Sequence, residues 1–180
     1  MRCRTHILVI LTLLTTLLAV VANVRAAERN VQVRTTVDLQ ADARLAAKRG
    51  VPVLLEFSAS TCSYCELLES EILRPILLNG GYTNKVLIRK VVIDDASKLR
   101  DFDGRMVSMD DFVQRHNIMV TPTMLFFDPR GHELVPRMVG INTIDFFAGE
   151  VDQAIDTALT KLHAHHAALP AEQVASAAKP

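Results

Sequence analysis

Between residues 38 and 162 the apolar positions change period several times, and each change marks a predicted element. Asp38 has the character of an N-cap, and Leu39 to Arg49 follows as a helix with a modest apolar face from Ala41, Leu45 and Ala46, closed by Gly50. Val53-Leu54-Leu55-Glu56-Phe57 is apolar at all but one position, the pattern of a central strand covered on both faces. From about Tyr64 the residues Leu67, Leu68, Ile72, Leu73 and Ile76 recur at helical spacing as far as Asn79-Gly80-Gly81, with Pro75 predicting a kink or a fresh start. Val86 to Ile93 alternates and is β-branched, so it reads as a strand. Asp94 to Val107 reads as a polar, acidic loop, and Ser108 as the cap of a short helix over Met109 to His116.

The second half ends in a hairpin and a helix. Met124 to Phe127 is a strand, Asp128-Pro129-Arg130-Gly131 a turn, and Glu133 to Val139 the returning strand. Ile144 to Leu162 is an amphipathic helix with the stripe Phe147, Val151, Ile155, Ala158 and Leu162. Upstream, Val31, Val33 and Val37 alternate among polar residues, giving a flexible segment over 27–37 with room for a short edge strand. The order is weak β, then α-β-α-β-α-β-β-α. This is an α/β domain over 38–162, parallel at first and antiparallel at its closing hairpin.

The two ends fall outside that domain. Residues 1–26 have a basic start, an uncharged apolar stretch from Ile7 to Ala22, and small residues to Ala26, the layout of a cleavable signal peptide. A retained membrane anchor is the competing reading; the run is short for a spanning helix. Residues 163–180, Ala- and Pro-rich from Leu169, read as a disordered tail. The whole chain balances 20 basic against 20 acidic residues. Loss of Arg2, Arg4 and Arg25 leaves 17 against 20, or −3, with no basic patch, which argues against nucleic acid as a partner.

Of three cysteines only Cys62 and Cys65 follow the leader, and two so close together suit reactivity better than a structural framework. They stand where a strand gives way to a helix. A helix N-terminus presents free N–H groups and partial positive charge, both of which favour a thiolate on Cys62, the reactive species. Cys65 sits close enough to resolve a mixed disulfide. Glu56 interrupts an apolar strand and has two readings: a carboxylate that escapes to solvent at the strand end, or a buried acid whose raised pKa lets it take the Cys65 proton. Tyr64 is either an exposed docking contact or packed on its helix. A zinc or copper site built on the cysteines with His163, His165 and His166 is the first rival, and a non-catalytic module with a structural disulfide the second. The aspartates of 94–103 lack the spacing of a calcium loop. Met106, Met109, Met119, Met124 and Met138 form no methionine motif.

The strand Val53–Phe57, the Cys62-Ser63-Tyr64-Cys65 motif and Val120-Thr121-Pro122-Thr123 before a hairpin together resemble the thioredoxin-fold family over Asp38 to Leu162. The resemblance implies a central mixed sheet of four to five strands flanked by helices. It implies a redox-active Cys62–Cys65 disulfide, a cis-proline at Pro122 packed against it, and a Thr121 backbone that bonds a bound peptide. It places Glu56 where the family keeps a buried acid, with Ser63 and Tyr64 at the substrate surface. The segment Cys65 to Asn79, the insert Asp101-Phe102-Asp103-Gly104 and Met138-Val139-Gly140-Ile141-Asn142 look like exported thioredoxin-like proteins of sulfur-oxidation systems, the SoxW type.

Two departures limit what carries over. No Trp precedes the first cysteine, and Ser63-Tyr64 replaces Gly-Pro, so a strongly reducing potential does not follow. Tyr64 and Thr121 are similar to the disulfide isomerases, whose dimerisation domain has no room here. The expectation is a monomeric periplasmic thiol–disulfide oxidoreductase acting on protein substrates, most simply as a reductase re-reduced by a membrane electron donor. A disulfide-forming oxidase or isomerase-like protein is the alternative. Neither metal nor organic cofactor is called for.

Overall fold

A computed structural model describes residues 31–168. The expected leader, and the tail from Leu169, lie outside the described residues. The elements in chain order are α1 (Leu39–Arg49), β1 (Val53–Ser58), α2 (Ser63–Leu68), a π-helical turn (Glu69–Leu73), α3 (Arg74–Leu78), β2 (Leu87–Val92), β3 (Lys98–Arg100), β4 (Met106–Ser108), α4 (Met109–Arg115), β5 (Thr123–Phe127), β6 (Met138–Val139) and α5 (Ile144–Ala168).

β1 organises the rest. Its six residues are all buried, as an apolar run in a doubly covered strand must be. It pairs in parallel with β2, Val53 opposite Leu87 through Ser58 opposite Val92, and antiparallel with β5, Val53 opposite Phe127. β6 adds to β5, giving the four-stranded order β2-β1-β5-β6. Alternation along β1 sends Leu54 to one core and Leu55 and Phe57 to the other. The first core holds Leu54, Leu68, Ile72, Met124 and the α5 stripe Phe147, Val151, Ile155, Ala158 and Leu162. The second holds Leu39, Ala46, Leu55, Phe57, Leu87, Phe112 and Phe127, with α1 and α4 as its lid.

The caps follow the side chains. Asp38 Oδ1 accepts the Ala41 N–H at 2.8 Å to open α1, and Ser108 Oγ accepts the Asp111 N–H at 3.1 Å to open α4. Such bonds satisfy donors that the helix itself leaves free.

Four expectations are corrected. Asp94 to Val107 is not simply a loop, because β3 and β4 pair antiparallel within it, Leu99 opposite Val107. Leu99 is fully buried in the second core, which anchors the hairpin there. The strand expected over Glu133–Val139 contracts to Met138–Val139 and one bridge between Phe127 and Glu133; Pro136 has no N–H to donate to a ladder. The edge strand near Val37 is reduced to two isolated bridges, Thr35 to Lys90 and Asp38 to Arg100. The last helix runs past Leu162 to Ala168, keeping residues 163–168 in the helix. Pro75 marks the expected fresh start: it stands in the first turn of α3, just after the π-helical turn, where a missing N–H is tolerated.

Candidate active site

Cys62 is the N-cap of α2 in extended backbone conformation (φ −130°, ψ 95°), and its Sγ accepts the Cys65 N–H at 3.1 Å. The two cysteines form a disulfide with S–S 2.00 Å and Cα–Cα 5.2 Å. The pair is unequal. Cys65 is 2% exposed, whereas Cys62 is partly open to solvent. An incoming sulfur therefore reaches Cys62 first, and Cys65 is protected until the chain around it moves. The loop before the motif is tied down by Asp94, which accepts the Ser60 N–H at 2.9 Å and the Ser60 hydroxyl at 2.5 Å. Those bonds hold the Asp94 carboxyl below its ordinary pKa.

The Thr121–Pro122 peptide bond is cis. Thr121 Oγ1 lies 3.4 Å from Cys62 Sγ and donates toward it. Pro122 is buried, and its carbonyl accepts the Gly140 N–H at 2.8 Å. The fold thus brings Thr121, from just ahead of β5, beside a cysteine far away in sequence. Ser63 and Tyr64 stand on the open side of the pair; Tyr64 is 60% exposed, which decides between its two readings in favour of the surface. Met119, Val120 and Val139 are exposed apolar residues of the segments that flank Thr121 in sequence and β5 in space.

Glu56 occupies the first-core face of β1, between Leu54 and Ser58. It is wholly buried, so the reading in which it escapes to solvent is overturned. Neither carboxylate oxygen has a hydrogen-bond partner among the described residues. Burial, reinforced by repulsion from Glu69, pushes its pKa up to about 8; the Lys90 charge and the nearby Ser58 hydroxyl oppose the rise. Such a group is protonated at pH 7, which makes a partnerless burial tolerable. Lys90 is the register partner of Glu56 on β2, yet its ammonium donates to Glu69 Oε1 at 2.6 Å on the π-helical turn.

Glu69 and Lys90 are the members of this site that sequence reading missed. A clue was available in Lys90, a charge inside an alternating strand, but pairing it with Glu56 needed the β1–β2 register. Of the histidines in the rival metal reading, His163 has its Nε2 2.9 Å from the Gly50 carbonyl. Among the described residues no group of three or more His, Cys, Asp or Glu is placed to hold a metal ion.

Comparisons with known proteins bear on this geometry. A thiol:disulfide interchange protein DsbD from Ralstonia nicotianae is 25% identical over 130 residues, which are 72% of this chain and 20% of that protein. The chain thus spans about a fifth of the length of the curated relative it matches. Among solved structures, a poplar thioredoxin h is 22% identical with TM-score 0.45, covering 64% of this chain and 86% of that one. A Fasciola hepatica thioredoxin is 18% identical with TM-score 0.44, covering 68% and 96%. The model of the thioredoxin-like domain family matches residues 39–155, well over half of the chain, including the whole four-stranded sheet and the cysteine pair. With a dithiol–disulfide pair at the start of α2 and the sheet order described above, the protein has the thioredoxin fold and the equipment of a thiol–disulfide oxidoreductase: it belongs to the thioredoxin-like domain family.

Proposed function

We propose that the protein is an exported thioredoxin-like reductase of the SoxW type that transfers electrons to disulfides of protein substrates in the periplasm. The observation that carries this reading is the unequal exposure of the two cysteines, with a buried, partnerless Glu56 on the strand that leads to them. In the dithiol form the Cys62 thiolate attacks one sulfur of the substrate disulfide; the other leaves as a thiolate and takes a proton from water. Substrate backbone lies along Thr121-Pro122, with Ser63 and Tyr64 as flanking contacts. Glu56, as carboxylate, then accepts the Cys65 proton. The Cys65 thiolate attacks Cys62 Sγ and expels the second substrate sulfur, which is protonated in turn. Two electrons pass from the dithiol to the substrate, and Glu56 is left protonated beside a Cys62–Cys65 disulfide. That end state agrees with a pKa near 8 in the disulfide form.

Export is supported by the leader-like residues 1–26 and by the DsbD likeness. No helix among the described residues is long and apolar enough to cross a membrane. A dithiol carrier at the membrane supplies the electrons for the next cycle, and the protein works as a monomer. The deciding experiment is the equilibrium reduction potential of the pair against a glutathione or dithiothreitol buffer. A value near about −250 mV or lower supports a reductase, and one above about −150 mV overturns it in favour of a disulfide donor.

A further inference from the structure

Three features have no part in disulfide exchange: the Asp101–Gly104 insert, the Asp128–Gly131 turn, and the histidines near the end of α5. All three meet at one cavity of about 410 Å³ beyond the Phe127 end of β5. The cysteines lie past the opposite, Thr123 end, so the two places are separated by the length of the strand, about 15 Å. The size falls within the range of small-molecule sites, at its lower end.

The cavity exists because its walls are held back. On α1 the residues that line it are Ala43, which is buried, and Ala47 one turn on, which is exposed at its rim; both are too small to fill the space. Phe102 lies flat against Gly131, where a Cβ would be 2.9 Å from its ring, and rests on Phe127 with ring centroids 5.0 Å apart. Gln40 lies against Gly104, where a Cβ would be 2.5 Å from its Nε2. Both glycines have φ of +86°, a conformation that side chains disfavour. Glycine at these two turns lets Phe102 and Gln40 pack against backbone instead of collapsing inward.

The lining is apolar at depth, with Leu162 and Phe102, and basic at the rim, with Arg44, Arg130, His132 and His165. The one acid, Asp128, is already engaged: Oδ1 accepts the Arg130 and His132 N–H groups at 2.8 and 2.9 Å, and Oδ2 faces His132 Nδ1 at 3.1 Å. Neither the Arg44 nor the Arg130 guanidinium has an ion-pair or hydrogen-bond partner among the described residues; Arg34, Arg49 and Arg74 share that state but do not line the cavity, and Arg89, Arg100, Arg105, Arg115 and Arg137 each pair with a carboxylate. Guanidinium forks recognise carboxylates with two parallel bonds. From this juxtaposition of an apolar pocket and two uncommitted guanidinium groups, we propose a second, non-redox ligand site that binds a small amphipathic carboxylate, its apolar body against Ala43, Ala47, Phe102 and Leu162 and its head between Arg44 and Arg130.

The test uses the full disulfide-form protein and octanoate, with acetate and octan-1-ol as partial probes, followed by calorimetry and by amide chemical shifts. Saturable one-to-one binding of octanoate is expected, with shifts at Ala43, Ala47, Phe102 and His132. Acetate and octanol each bind at least tenfold more weakly. The double variant R44E/R130E, altered only at exposed side chains, loses at least tenfold in affinity, and Ala47→Phe, which fills the cavity, does the same. A C62S/C65S variant keeps full affinity, separating this site from the redox pair. Absence of saturable binding, shifts confined to the cysteine end, or octanoate affinity unchanged in R44E/R130E overturns the proposal. So does unchanged affinity in Ala47→Phe, since that marks a surface ion effect.

Discussion

Two neighbouring residues of β2 carry the main contrast in this molecule. Arg89 points into the second core and Lys90 into the first, because side chains alternate along a strand. Arg89 is buried and fully matched. Its Nε donates to Asp42 Oδ1 at 2.7 Å and its NH1 to the Ile88 carbonyl at 2.8 Å, while Thr36 donates to Asp42 Oδ2 at 2.5 Å. On the other face Lys90 stands opposite Glu56 but bonds to Glu69, leaving Glu56 with no partner. One buried charge cluster is closed and fastens α1 to the sheet. The other is left open, which a protein tolerates at lower cost where the unmatched group stays neutral. The difference separates a structural ion pair from an acid poised to exchange a proton.

Breaking the closed cluster has the largest expected effect on stability. Asp42→Ala strands a buried guanidinium and is expected to cost about 3–5 kcal/mol, read from urea unfolding at pH 7. A loss under about 1 kcal/mol means that the pair is solvated and the contrast false. Opening the same question at Glu56 has the opposite sign. Its folded pKa of about 8 lies above the unfolded value of 4.5, so its contribution to stability is complete below pH 4.5 and is lost as pH rises through about 8. Glu56→Gln therefore stabilises the protein at pH 8–9 and scarcely at pH 4, at roughly 1.4 kcal/mol per unit of pKa difference as an upper bound. Equal stabilisation at both pH values removes the buried acid from the account. In single-turnover reduction of a model disulfide, the same variant slows release of the second substrate thiol about a hundredfold, with the initial attack by Cys62 little changed.

The contrast sharpens at Glu69. Glu69→Gln removes a repulsion from Glu56 and frees Lys90 to face it, so the Glu56 carboxyl titrates lower, by about one pH unit or less. Carboxyl chemical shifts in the disulfide form follow this directly, and the pH dependence of thiol release moves the same way. An unmoved titration disconnects Glu69 from the acid. The smallest effect belongs to His116, whose ring contacts Phe112 and Phe127 at centroid distances of 4.6 and 5.3 Å. Burial lowers its pKa below 6.5, so its stabilising contribution is present above pH 6.5 and is lost as pH falls through the depressed value. Replacing His116 by Phe flattens the stability curve below pH 6.5; thermal melts on the acid side of that value measure it, and a curve as steep as before excludes His116 as its source.

How far each part was legible follows from the range of the interaction involved. Periodicity read the core face of α5 from Phe147 to Leu162, and the all-apolar β1 announced itself as a central strand. The Cys62–Cys65 pair and its helix start were equally plain, because both depend on neighbours a few residues away. Leu99 and Val107 were passed over in a segment dominated by aspartates, since three-residue strands carry too short a pattern to register. Glu133 to Val139 was overread because alternation there ignored Pro136.

The sequence by itself determined the order of the main helices and sheet strands apart from the β3–β4 hairpin, the place of the cysteines and the presence of an acid within β1, since spacing, propensity and a backbone dihedral menu act locally. Only the tertiary structure decided what that acid faces. The parallel register of β1 with β2 set Lys90 beside Glu56, and the π-helical turn brought Glu69 near enough to claim it. It likewise set Thr121 against Cys62, and brought the 101–104 insert, the 128–131 turn and the end of α5 around one cavity. Such matches depend on pairings between distant segments, and the electrostatics of a buried group depend on every segment that meets it.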